Sequence, residues 1–281
     1  MNQEPQPHDH IPPDVVTAHQ PGERTVGIGL TDDLVMALRF FSRLPTGSSP
    51  HQRPDLGRMA MALPLASVVI GAGPALLLIG AVLVGMPEFF AAAMAVAAMV
   101  MASGAMAEDA LADTADGLFG GQDSERRLAI MKDSRHGTFG VAALTLFLIL
   151  RVTALGAIAL IHPLAAAAVW LAAGVIGRSG SLWLAVTLPP ARADGAAATA
   201  GRLPRSQFAI GAVFALILLF VLGGPPTSVV ALAVALVFSV LVIAGWVALC
   251  RRMVGGQTGD LIGALGALLE IAVLTALLPF V

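Results

Sequence analysis

Seven apolar stretches, each near the length that crosses a bilayer, constrain this chain more than anything else in it. They run over residues 60–85, 88–107, 139–161, 164–187, 207–223, 227–249 and 261–281. A helix of about 20 apolar residues spans the hydrocarbon layer, and in lipid its backbone polar groups must be satisfied within the segment itself. Charged residues make up 12% of the chain, about half the usual share of a soluble domain. The spacing and composition predict an all-α fold: a polytopic membrane helix bundle with about seven transmembrane helices.

Residues 1–30 are rich in Pro, His and Gln and carry no basic start followed by an apolar stretch. They read as a disordered tail without a secretory leader. Residues 31–281 then form one membrane-embedded domain. Its first segment, TDDLVMALRFFSRL (31–44), places Leu34, Leu38 and Phe41 at helical spacing. An amphipathic helix on the membrane surface is expected there, with Thr31 as its N-cap.

The connections between spans alternate in charge. Those around 85–88, 161–164 and 222–227 contain no Lys or Arg, and the opposite set, with the N-terminal flank, holds fourteen of the sixteen basic residues. Positive-inside bias puts the basic side in the cytoplasm. The overall charge of −2 carries no nucleic-acid footprint, so no nucleic-acid partner is expected. A single cysteine, Cys250, excludes an intrachain disulfide framework and a cysteine-based zinc site. Membrane lipid is the obvious surrounding partner. The small-residue face GAGP (71–74) permits association into a homo-oligomer.

The chemistry gathers at the basic end. AEDALADTADG (107–117) brings Glu108, Asp109, Asp113 and Asp116 to the end of the second apolar run. If the run continues as helix, Asp109, Asp113 and Asp116 fall at i, i+4 and i+7, on one face. Three like charges that close repel one another unless a cation lies between them. Mg2+ characteristically shares its sites between carboxylates and substrate phosphates, so these acids, with Glu108, are candidate Mg2+ ligands. DSERRLAIMKDSRHGTFG (123–140) follows, with Asp123 or Ser124 as the cap of a short helix. Its Arg126, Lys132 and Arg135 are suited to phosphate oxygens. His136 is a candidate base or phosphate donor. GGQTGD (255–260) is a glycine-rich turn whose N–H groups can cradle an anion. Gln257 and Thr258 are candidate substrate contacts in it, and Asp260 a further metal ligand or base.

Three ionisable residues fall at membrane depth: Arg151, Arg178 and Glu270. Such charges are costly and mark pairs or sites. Arg151 reads as structural, Glu270 requires a charged partner, and Arg178 reads equally as a pairing or a substrate-orienting residue. Residues 189–205 read as a mobile cytoplasmic loop whose arginines, Arg192, Arg202 and Arg205, can reach a substrate. No phosphate-binding GxxxxGK[ST] and no dinucleotide fingerprint is present. Phosphoryl chemistry here would rest on a metal–carboxylate site in a helical bundle.

EDALADTADG, RRLAIMKDSRHGTFG and GGQTGD, in this order and preceded by FFSRLPTG (40–47), resemble the cobalamin synthases, the adenosylcobinamide-GDP ribazoletransferases. The similarity runs from about residue 33 to the C-terminus. It implies a multi-pass enzyme of the bacterial inner membrane that uses Mg2+, with its active site facing the cytoplasm. A hydroxyl of α-ribazole, or of its 5′-phosphate, attacks adenosylcobinamide-GDP, and GMP leaves. On that resemblance Asp109, Asp113, Asp116 and Asp260 are the catalytic acids, and Arg126, Lys132, Arg135, His136, Arg178, Gln257 and Thr258 bind substrate. Two positions depart from the family's pattern: Ala107 stands for its histidine and Ala110 for its first glycine. Either change can weaken activity. CDP-alcohol phosphotransferases have related acidic spacing, but Asp113 stands where their arginine belongs. A secondary transporter would place its acids near the bilayer midplane rather than at one end.

Overall fold

The computed structural model describes residues 29–47, 55–192 and 202–281. Most of the expected tail and part of the 189–205 loop lie outside the described residues. Those described contain eleven α-helices and no strand. In chain order the helices are α1 (Leu30–Phe41), α2 (Leu56–Leu83), α3 (Glu88–Ser103), α4 (Met106–Gly120), α5 (Ser124–Met131), α6 (Thr138–Ile161), α7 (Pro163–Ser181), α8 (Trp183–Thr187), α9 (Arg205–Gly223), α10 (Val229–Met253) and α11 (Gly259–Leu277). Six spans are long and apolar enough to cross a membrane, one of them α7 and α8 together, and a seventh if the bent pair α3–α4 counts as one. The polytopic bundle expected from the apolar runs is therefore present.

α7 and α11 form its centre. Of the most apolar window in the α7–α8 span 72% is buried, and of that in α11 61%, against 22% for α9 and for α10 at the rim. Small residues allow the central approach: a Cβ added to Gly177 of α7 would stand 2.8 Å from the Gly266 carbonyl oxygen of α11. α2 packs on α7 from the other side, with α3, α9 and α1 around it.

α1 carries Asp32 and Asp33 in its first turn and Arg39 in its last, the order that suits the helix dipole. Thr31 is not its cap. Gly29 holds that position without a side-chain bond, and Thr31 lies inside the helix. Asp33 accepts from Arg58 Nε at 2.6 Å, which ties α1 to the start of α2. Beyond Phe41 the chain turns extended, and the Arg43 N–H donates to the Ala102 carbonyl at 2.7 Å.

The acidic run does not continue the second apolar helix. α3 stops at Ser103 and α4 leaves at 86° to it. Gly104 and Ala105 make the corner with φ of +67° and +57°. Glycine at 104 is required twice, by that angle and because a Cβ there would lie 2.6 Å from Arg43 Nε. Ala105 has no such freedom, and a left-handed alanine carries a penalty of about 1–2 kcal/mol. Ala105→Gly is therefore expected to stabilise the chain by about 0.5–1 kcal/mol after the added entropy of the unfolded glycine. Thermal unfolding in detergent micelles checks this, and an unchanged or lowered midpoint contradicts it.

Candidate active site

The corner aims α4 back into the bundle, and a cavity of about 290 Å³ lies beside it. Its walls come from α4, α7 and α11, with Phe40 and Phe41 of α1 and Met99 of α3 closing one side. α11 lines it from Asp260 through Gly263 and Gly266 to Glu270, ten residue steps or about 15 Å along the helix.

The inner end is charged and closed. Arg151 is 1% exposed. Its Nη1 donates to Glu108 Oε1 at 2.8 Å and its Nη2 to Glu270 Oε2 at 2.9 Å. Glu270 Oε1 also accepts the Trp170 indole N–H at 2.9 Å, and the guanidinium lies 4.2 Å from the centre of the Phe147 ring. Arg151 is thus the structural arginine expected from its depth, and it is the partner that Glu270 required. Glu108 stands here, beside Arg151, and not with the other acids of α4. Its Oε2 is buried without a hydrogen-bond partner and belongs to a cavity-lining residue.

The outer end gathers the remaining acids. Asp109 and Asp260 line the cavity. Asp113, one turn beyond Asp109, feels the negative charge of both. It also lies 3.6 Å from His136 Nδ1. Arg192 opposes the charge of Asp260 and donates to the Leu128 carbonyl at 2.7 Å. Asp116 is engaged otherwise: one oxygen accepts the Gly137 N–H at 2.6 Å and the other the Gly140 N–H at 2.8 Å. It joins α4 to the start of α6. Among the described residues no three His, Cys, Asp or Glu side chains stand close enough together to hold a metal ion by themselves.

Of the basic stretch 123–140, His136 reaches the acids, and α5 packs along α4. Asp123 caps α5 by accepting the Arg126 N–H at 2.8 Å. Ser124 and Arg127 then anchor α5 to the carbonyls of Val254 and Met253 at 2.8 and 2.9 Å. Arg126, Lys132, Arg135 and His136 are exposed. Arg135 hydrogen-bonds Asp133 and holds that carboxyl down at about 2. Arg178 instead faces the cavity from α7, its Nη2 3.6 Å from Met99 Sδ, and no carboxylate pairs with it among the described residues.

The turn 255–260 is fixed through its backbone. Gln257 N–H donates to the Pro189 carbonyl at 2.8 Å, and Ala191 N–H donates to the Gln257 carbonyl at 2.9 Å. The side chain is 1% exposed, and neither Oε1 nor Nε2 has a partner. Thr258 is spent on the N-cap of α11, accepting from Leu261 N at 3.2 Å.

Ala107 and Ala110 both line the cavity. The methyl of Ala110 lies against a bare backbone, since a Cβ at Gly263 would come within 2.5 Å of it. The Phe40–Phe41 wall and Met99 were not legible as site residues. The two rings, 4.8 Å apart edge to face, look in sequence like the apolar stripe of any surface helix.

The model of one protein family, described as cobalamin-5-phosphate synthase, matches residues 33–278. A curated relative from Azorhizobium caulinodans is 43% identical over 252 residues, covering 88% of this chain and 96% of the relative. One from Xanthobacter autotrophicus is 42% identical, covering 89% and 97%, and one from a Sinorhizobium species is 40% identical, covering 88% and 95%. All three are named adenosylcobinamide-GDP ribazoletransferase. No solved structure matches the chain.

Proposed function

The chain belongs to the cobalamin-5-phosphate synthase family, and from that premise we infer that it is a membrane-embedded transferase with the ribazoletransferase activity on adenosylcobinamide-GDP. The acceptor is α-ribazole or its 5′-phosphate, and the second product is GMP. The observation that carries this reading is the meeting of Asp109 and Asp260, from α4 and α11, at the rim of a cavity, with Asp113 one turn away. We place the enzyme in the bacterial inner membrane with its basic end in the cytoplasm, on the charge asymmetry of the connections.

The donor set suits Mg2+. It is all carboxylate oxygen and open, and Mg2+ keeps several waters and completes its shell with substrate phosphates rather than a protein cage. Asp109 and Asp113, one turn apart on α4, would hold the ion together with substrate oxygens, and the ion would draw charge from the diphosphate. Asp116 and Glu108, held by N–H groups and by Arg151, support the placement of α4. The acceptor hydroxyl attacks the phosphorus next to the cobinamide aminopropanol. A new P–O bond forms, the P–O bond to GMP breaks, and GMP leaves with that bond's electrons. The hydroxyl proton passes to Asp260, the half-buried acid on the cavity wall opposite α4. Arg126, Lys132 and Arg135 draw the diphosphate to the acids, and Asp113 orients His136 beside it.

The test is assembly in liposomes with adenosylcobinamide-GDP and α-ribazole, following GMP and the corrinoid product. Equimolar release of both, lost with EDTA and recovered with Mg2+, is expected. Product that survives EDTA removes the metal from the reading. No product from α-ribazole or its phosphate, at intact fold, removes the activity.

A further inference from the structure

The cavity of about 290 Å³ lies at the lower end of the volumes that take small-molecule ligands. A corrin ring with its amide arms does not enter it. Most of its wall is hydrocarbon: Phe40, Phe41, Leu56, Met99 and the methyls of alanines on α4 and α11. Yet the buried Gln257 amide presents one acceptor and one N–H2 donor group with no partner. An unsatisfied buried polar group costs stability and is uncommon in native proteins. A ligand of small size, with an apolar aromatic body and a few hydroxyl or ring-nitrogen groups, meets all three conditions.

We propose that this cavity seats the acceptor nucleoside, base first, with Gln257 binding its polar groups. The inference rests on the ribazoletransferase reading and deepens it. A dimethyl-substituted benzimidazole offers an apolar body and one ring-nitrogen acceptor, and its ribose supplies hydroxyls. Guanosine is of similar size but bears N7, O6 and N2 groups together on its base, a more polar body than this largely hydrocarbon wall suits. The seat leaves the ribose towards Asp109 and Asp260. The corrinoid diphosphate stays outside the cavity, between those acids and the basic residues around α5. Arg178, which faces the same space, attracts the 5′-phosphate when the acceptor carries one.

The test is equilibrium binding of radiolabelled α-ribazole to the full chain in detergent, without corrinoid or metal. Two variants probe opposite walls, Gln257→Leu and the cavity-filling Ala107→Leu, each checked by thermal unfolding. Saturable binding is expected, weakened about tenfold or more in both variants as lost hydrogen bonds or lost volume imply. In turnover the KM for α-ribazole should rise while that for adenosylcobinamide-GDP moves less than about twofold. Unchanged α-ribazole affinity in both folded variants, with product still formed, overturns the seat and leaves the transferase reading intact. A rise confined to the KM of adenosylcobinamide-GDP, or displacement of α-ribazole by GMP, assigns the cavity to the other substrate and also overturns it. Absence of both binding and product removes the two readings together.

Discussion

Exchanging Arg151 for methionine is expected to destabilise the chain by about 3–5 kcal/mol, the usual result of breaking a buried ion pair from one side. The arginine is almost wholly enclosed and answers two carboxylates at 2.8 and 2.9 Å. Without it Glu108 and Glu270 face each other in a low-dielectric interior, with only the Trp170 indole N–H left for Glu270. The decisive comparison is the triple variant Arg151→Met, Glu108→Gln, Glu270→Gln. It removes the stranded charges and should recover much of the loss. Chemical or thermal unfolding in micelles measures both. A single variant within about 1 kcal/mol of the parent would show that the three groups are not coupled as their distances imply.

The largest effect on rate is expected at Asp113 and Asp109. Asp113→Asn should lower kcat by about 10²–10³, the scale on which removal of one charge-stabilising group acts. Stability should not fall with it. Asp109, Asp113 and Asp260 repel one another, and neutralising one relieves that strain. Asp116→Asn should behave in the opposite manner. Its two oxygens accept the Gly137 and Gly140 N–H groups, so replacing one by an amide nitrogen costs about 1–3 kcal/mol. Turnover and melting measured side by side on the two variants distinguish an acid that faces substrate from one that joins two helices. Loss of stability in Asp113→Asn with kcat preserved would exchange their roles.

The spans could be read from length and apolarity, because lipid demands a continuous run and the chain supplies it. The turn before α11 could be read from its glycines and Thr258. The corner between α3 and α4 could not. Ser103-Gly104-Ala105 is the kind of small-residue sequence that packs inside a continuous membrane helix, and nothing marks Ala105 for a positive φ. The acids did share α4, but one-face spacing does not tell that Asp116 turns to the start of α6 and accepts two backbone N–H groups there. Arg151 and Glu270 announced themselves by depth, but their pairing closes over 119 residues of chain and leaves no local signal. The cavity is harder still to see in a sequence. Its inner walls are glycines and alanines on three separate helices, and empty space has no residue of its own.

The buried triad also bears on how such a chain can be made. Its members arrive in the order Glu108, Arg151, Glu270, on α4, α6 and α11. A helix carrying a lone charge enters lipid reluctantly. When α6 is synthesised, the carboxylate of α4 is already there to receive its arginine, so insertion of the first half proceeds as a neutral pair. Glu270 comes after every other described span and must find an arginine already bonded once, together with an indole on α7. The early helices therefore have to hold an unfilled place among them until α11 emerges. Interrupting synthesis before that point would leave an assembled but open bundle, recognisable to membrane quality control by the half-answered charge in its middle.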